Sequence, residues 1–155
     1  MLQILEHQRV DIALQIVAVQ GEAYQEEARL IGFSDIPQLT ESKEDIMKSK
    51  EVFIGEMIEG KLAGVLSFEK ENERLTICRL VVRPRYFRKG IGSCLLTHVL
   101  QRYSECECIV STAEKNTPAI KLYKAHQFSI IKHTAAADNL VLVTMKRDED
   151  IAKLS

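Results

Sequence analysis

The sequence predicts a single α/β domain over residues 1–147, followed by a short solvated tail over 148–155. Three observations predict it. Apolar residues recur at helical spacing through the first third. β-branched runs surround a hairpin signal in the middle. Strand and helix patterns then alternate around a glycine-containing loop. A chain of 155 residues is long enough for one hydrophobic core, and no internal repeat, low-complexity segment or domain boundary divides it.

The elements follow in order. Val10, Leu14, Val17, Gly21, Tyr24, Ala28 and Ile31 recur at steps of three or four, which puts them on one stripe of a helix. Gly21 on that stripe implies close approach of another element, and Gly32 supplies a stop. After a loop carrying Ser34, Asp35 and Pro37, Ser42-Lys-Glu-Asp45 resembles a capping box that opens a short second helix. Runs 52–58 and 62–68 flank Glu59-Gly60-Lys61, a hairpin signal. A third strand over 75–82 ends at Pro84. A basic loop over 83–92 leads into a helix over 93–103 with Leu95, Leu96, Val99 and Leu100 on its apolar stripe. Next come a strand over 108–113 and a helix to about residue 125 that starts at Asn116-Thr-Pro-Ala119, since proline suits a first helical position. Runs 128–133 and 140–145 form a closing strand pair.

Composition excludes several classes. A net charge of −1 argues against a general nucleic-acid binder. No stretch approaches the ~20 apolar residues that span a bilayer, so no membrane partner is expected. The N-terminal residues lack a basic leader followed by an apolar run, and a cytoplasmic location is the expectation. Of the four cysteines, Cys106 and Cys108 are too closely spaced for a C-x-x-C pair. Cys78, Cys94, Cys106 and Cys108 are expected as free, mostly buried thiols, with no metal site.

The segment richest in chemistry is Leu80-Val-Val-Arg-Pro-Arg-Tyr-Phe-Arg-Lys-Gly-Ile-Gly-Ser93. It joins a strand to a helix. Gly90 and Gly92 let the backbone turn tightly and aim several N–H groups into one concavity, and the helix start adds the positive end of its dipole. From Arg74 to Ser104 there are Arg74, Arg79, Arg83, Arg85, Arg88, Lys89 and Arg102 and no carboxylate, which predicts a local positive field. A phosphate or pyrophosphate fits such a loop. The Walker pattern is absent, and a dinucleotide fingerprint would need a third glycine where Leu95 stands.

These residues resemble the GNAT N-acetyltransferase superfamily. Leu80-x-Val82-x-Pro84 followed by Arg88-Lys-Gly90-x-Gly92-x-x-Leu95-Leu96 is similar to the family's strand, pyrophosphate loop and helix. Asn116-x-x-Ala119-x-x-Leu122-Tyr123, with Phe128 beyond, is similar to its N-x-x-A-x-x-L-Y helix. Phe87 stands where the family usually has Gln or Arg, and Gln127 replaces the usual glycine before Phe128. The resemblance implies a mixed, mostly antiparallel central sheet flanked by helices on both faces. Two parallel strands, 75–82 and 108–113, splay at the cofactor cleft. It implies acetyl-CoA as cofactor. Backbone groups of Leu80 and Val82 would pair with the pantetheine arm, the amides of Arg88, Lys89, Gly90, Ile91, Gly92 and Ser93 would hold the pyrophosphate, and Asn116 would contact the arm from the other side.

The implied reaction is direct attack of a primary amine, on a small molecule or peptide, in a ternary complex. A backbone N–H near Val82 would face the developing oxyanion, and Tyr123 would protonate the leaving thiolate. The general base is not assigned. The strand before the loop carries no carboxylate; Glu56, Glu69 and Glu73 on or near neighbouring strands are possible substitutes, though each is first expected as a solvated charge, and a water relay or an amine already neutral on arrival would need no dedicated base. Two other readings stay open: a non-catalytic acetyl-CoA or CoA sensor of the same fold, and a loop that binds ATP or NAD instead. A homodimer is also open.

Overall fold

The computed structural model describes residues 1–148; the remainder of the expected tail lies outside the described residues. The chain opens with β1 (Leu2–Ile4) and a long helix α1 (Val10–Ile31). Gly32 ends α1 in the left-handed conformation, its N–H donating to the Ala28 carbonyl. A 3-10 turn (Pro37–Thr40) leads to α2 (Lys43–Lys48). Both bonds of the capping box form there: Ser42 Oγ accepts from the Asp45 N–H, and the Asp45 carboxylate accepts from the Ser42 N–H.

The remaining elements are β2 (Val52–Ile58), β3 (Lys61–Glu71), β4 (Arg74–Val82), α3 (Ile91–Arg102), β5 (Glu107–Ala113), α4 (Thr117–Ala125), β6 (Phe128–Ala137) and β7 (Leu140–Arg147). The strands form one seven-stranded sheet in the order β1-β2-β3-β4-β5-β7-β6. Only the β4–β5 pair is parallel. α1 and α2 bury Ala13, Ile16, Val19, Tyr24 and Ile46 on one face of the sheet, whereas α3 and α4 bury Leu95, Leu96, Val99 and Tyr123 on the other. The central strand β3 is covered on both sides, which is why 62–68 is a continuous buried run instead of an alternating one.

Three expectations need correction. β1 is a strand that the helical reading of the first third did not include; three residues are too few to show a period. The buried face of α1 is Ala13, Ile16, Val19, Gln20, Tyr24 and Ile31, while Val10 and Leu14 are 47% and 49% exposed. The apolar stripe was drawn about a quarter turn off because the true one passes through a buried glutamine. A Cβ at Gly21 would meet nothing within 4 Å, so no element approaches there.

Gly64 marks a real close approach. A Cβ there would lie 2.8 Å from Ile91 Cγ2 and 3.2 Å from the Val81 carbonyl. Its missing side chain lets the first residue of α3 sit on β3. Gln127 takes φ 66°, a left-handed turn out of α4 that glycine adopts without strain.

Candidate active site

The β4–β5 pairing is short. It runs from Arg74↔Glu107 to Ile77↔Val110 and stops, although both strands continue. Above Ile77 the strands therefore present unpaired edges to a gap. The Arg83 N–H is bonded to the Ala63 carbonyl on the β3 side. Strand alternation then turns the N–H and C=O groups of Val82 and Leu80 towards the gap. On the far side, β5 is pinned by β7 through Ser111↔Thr144, Thr112↔Val143 and Ala113↔Leu142.

β4 feeds the basic loop. Arg88 and Gly90 both have left-handed backbones, φ 65° and 75°, and Gly90 is the N-cap of α3. No side chain caps this helix. Among the described residues no acceptor meets the amides of Arg88, Lys89, Gly90, Ile91, Gly92 or Ser93, while the Cys94 N–H is the first to bond, to the Gly90 carbonyl. A Cβ at Gly90 would meet nothing within 4 Å, and one at Gly92 only Leu122 at 3.5 Å. The space over these amides is thus open, and unbonded N–H groups at a helix start suit an anion.

The predicted positive field is narrower than the sequence suggested. Arg79 is buried between Glu41 and Glu51. Arg83 pairs with Glu22 and donates to the Leu62 carbonyl. Arg74 pairs with Glu107. Arg85, Arg88 and Lys89 remain at the loop without a carboxylate partner among the described residues, Arg85 and Lys89 lying against the Tyr86 ring. Ser93 Oγ lies 3.2 Å from His126 Nε2, a contact that ties the first turn of α3 to the end of α4. His126 Nδ1 donates to the Leu122 carbonyl, so the neutral ring accepts at Nε2.

Beside the gap lies a cavity of about 470 Å³. Ile77, Cys78, Arg79 and Leu80 line it from β4 and 110–113 from β5. Tyr24, Glu27 and Ile31 enter from α1, Asn116, Ala119 and Tyr123 from the start and body of α4, and the β6–β7 hairpin adds Ala136, Ala137, Leu140 and Leu142. Tyr123 is 5% exposed, its ring stacked obliquely on Phe128 at 5.5 Å, and its hydroxyl has no hydrogen-bond partner among the described residues. Burial, together with the nearby Cys108 and Glu27, raises its pKa. The phenol therefore stays protonated and remains a donor. Burial, with Glu51 and Glu69 adding to it, pushes the Cys78 thiol up to about 12, so it is no nucleophile at neutral pH.

The structure brings Leu80, Val82, Asn116 and Tyr123 around the gap and its cavity, with residues 88–93 at the head of α3. Asn116 caps α4 by accepting from the Ala119 N–H and donates to Glu27 Oε1 at 2.6 Å. Glu69 and Glu73 are exposed at the far end of β3 and β4, and Glu56 binds the N-terminal ammonium. Glu27 and Asp35 are the carboxylates lining the cavity, and Glu27, the half-buried one, is the one that sequence reasoning missed. Its neighbours Glu22 and Glu26 make it look like part of a solvated face, and no local signal separates it from them.

A mixed sheet with splayed parallel strands, a glycine-bearing helix start and a cavity at the splay is the architecture of the acetyltransferase (GNAT) fold. The profile of the acetyltransferase (GNAT) family matches residues 19–128, and the chain belongs to that family. It is 48% identical over 143 residues to UPF0157 protein YqkA of Bacillus subtilis, covering 92% of this chain and 42% of that protein. It is 34% identical over 73 residues to peptidyl-lysine N-acetyltransferase YiaC of Escherichia coli, covering 47% of each. The chain therefore spans less than half the length of YqkA, and the match to YiaC covers less than half of either chain. Its fold is that of the PaiA N-acetyltransferase of Thermoplasma acidophilum in complex with coenzyme A, with a TM-score of 0.76 at 16% identity over 96% of this chain and 99% of the other. Among the described residues no helix is long and apolar enough to cross a membrane.

Proposed function

We propose that the protein is an N-acetyltransferase that moves an acetyl group from acetyl-CoA to a primary amine by direct attack in a ternary complex. One observation carries the reading: the unpaired edges of β4 and β5 stand beside free amides at the head of α3 and a cavity lined by Tyr123, whose hydroxyl has no partner among the described residues. The peptidyl-lysine acetyltransferase relative and the coenzyme A complex of a chain of the same fold support it.

Acetyl-CoA supplies the activated acyl group. The amides of residues 88–93 bind its pyrophosphate, with Arg88 and Lys89 adding charge at the loop. Leu80 and Val82 offer backbone groups to the arm as a sheet edge does to an added strand. Val82 N–H faces the region where negative charge develops on the acyl oxygen. Tyr123 gives its proton to the departing sulfur. The same burial that disfavours a phenolate there disfavours a free thiolate, so a raised tyrosine pKa does not block the transfer. Cys78 stays a thiol, which leaves the acceptor amine as the nucleophile.

The test has two parts. Acetyl-CoA should raise the melting temperature well above the shift given by ATP or NAD, because binding to the folded state stabilises by RT ln(1 + [L]/Kd). Thiol release over a panel of an N-terminal peptide, a lysyl peptide and a diamine should then identify an acceptor. Equal shifts from all three nucleotides reduce the loop to a generic phosphate site. Binding without release from any amine identifies a sensor.

A further inference from the structure

We propose that Glu27 takes the proton from the acceptor amine and that Asn116 is the positioning residue that holds it. This rests on the transferase reading above. Glu27 comes from α1, the element opposite the strand in which the resemblance led us to look for a base. Tyr24, Glu27 and Ile31 lie at steps of three and four and line the same cavity as Tyr123.

The geometry of Asn116 makes the contact specific. Its Oδ1 accepts from the Ala119 N–H at 3.2 Å, which fixes which end of the amide is oxygen. The Nδ2 end then has to face Glu27, and it donates to Oε1 at 2.6 Å. A flipped amide would set donor against donor at one end and acceptor against acceptor at the other. Asn116 is itself 8% exposed, so this pairing cannot be replaced cheaply by water. Glu27 Oε2 has no partner among the described residues, and no cation pairs with the carboxylate. That free oxygen is the proton acceptor.

The other acidic groups nearby are occupied or unheld. Asp35, on the loop after α1, lines the same cavity and faces Glu27 across it, but it is exposed and no side chain holds it among the described residues. Glu41 and Glu51 are both bound by Arg79. Burial raises the Glu27 pKa and the Asn116 bond lowers it in part, leaving it above the ordinary carboxylate range and a better base than a solvated glutamate. The titratable and charged groups that face it are Tyr24 of its own helix, Asp35 of the loop after α1, Tyr123 of α4, and Cys78 and Arg79 of β4.

The step balances. The amine nitrogen forms its bond to the acyl carbon and gives one proton to Glu27 Oε2. Tyr123 gives its proton to sulfur as the carbon–sulfur bond breaks. The proton on Glu27 returns to the Tyr123 oxygen through cavity water. One amine proton thus ends on the thiol, and both side chains are restored.

The experiment uses the accepted amine found in the panel above. Glu27→Gln should keep the acetyl-CoA thermal shift, lose on the order of 10²-fold or more in kcat, and flatten the acidic limb of the kcat–pH profile. Glu27→Asp keeps a carboxylate and should keep the limb with an intermediate kcat. Asn116→Ser retains a capping oxygen and removes the amide donor; it should move the acidic limb to higher pH and raise the Glu27 titration seen by carbon-13 NMR. A wild type that releases no thiol with any amine overturns the transferase reading and this role with it. A wild type that turns over while Glu27→Gln keeps its kcat overturns the role of Glu27 alone. An acidic limb and NMR titration unmoved in Asn116→Ser overturn the positioning role.

Discussion

At the scale of single residues, Tyr123 and Glu27 show two ways in which a buried polar group is tolerated. Tyr123 has no hydrogen-bond partner in the described chain, a cost of about 1–3 kcal/mol for a wholly buried donor that is smaller here because the hydroxyl is open to the cavity. Its ring offsets part of that cost by packing on Phe128, and its hydroxyl borders the cavity. Tyr123→Phe should therefore leave the protein at least as stable, with the acetyl-CoA shift unchanged, while kcat falls on the order of 10²-fold or more and KM stays near its wild-type value. Melting temperature and kcat measured on one preparation decide the matter: full turnover removes the hydroxyl from the mechanism. Tyr123 and Asn116 were legible because they stand in register in a recognisable helix pattern. Glu27 was not. Nothing in Glu-Glu-Ala28 distinguishes the carboxylate that turns inward, and only the partner amide of Asn116, far along the chain, does so.

At the scale of elements, strand and helix positions after residue 50 were readable from their apolar, β-branched runs, with glycine or proline closing some of them, but β6 continues to Ala137 through what reads as an Ala/Asp loop because its pairing with β7 persists to Ala137↔Leu140. The face of α1 was not readable, since Gln20 is buried among apolar residues to serve Arg79. The splay of β4 from β5 left no trace in composition; the family resemblance implied it, and the pairing that stops at Ile77↔Val110 shows it. How α3 is placed also escaped the sequence. Gly64 looks like any strand glycine, yet it is the seat for Ile91 at the head of α3, the helix proposed to bind the pyrophosphate. Gly64→Val should push that head outward. Overpacking of this kind costs ~1–3 kcal/mol, and the free amides should lose alignment with the pyrophosphate. Calorimetry should show acetyl-CoA affinity falling about tenfold or more, since one charge-assisted bond contributes ~1.5–3 kcal/mol. Unchanged affinity in a destabilised variant would mean that the helix head is not fixed through β3.

Across the whole molecule, the Arg79 cluster ties more of the fold together than any other polar group. All five guanidinium N–H donors are used: on Glu51 at 2.9 and 3.0 Å, on Glu41 at 2.5 and 3.0 Å, and on Gln20 at 2.9 Å. Gln20 donates onward to the Gln38 carbonyl, and Ser67 donates to Glu51. Through one side chain, α1, the turn before α2, β2, β3 and β4 meet beside the cavity. Replacing Arg79 by Met removes the cation that, among the described residues, pairs with both Glu41 and Glu51, and breaking a buried pair this way costs about 3–5 kcal/mol. The melting temperature should fall by roughly 6–20 °C, at 2–4 °C per kcal/mol for a chain of this size. The loss should depend on pH in a definite direction. Burial pushes the Glu51 pKa up, but Arg79 and Ser67 bring it below the ordinary value. In the wild type its stabilisation is present above the ordinary carboxylate pKa and fades as pH falls through the lowered one. Without Arg79, burial dominates and Glu51 is held above the ordinary range. The variant then loses stability as pH rises through that raised value. The stability gap should be widest near pH 7 and should narrow near pH 4. Urea unfolding at the two pH values measures it, and a gap of equal size at both would show that Arg79 stabilises by packing instead of charge.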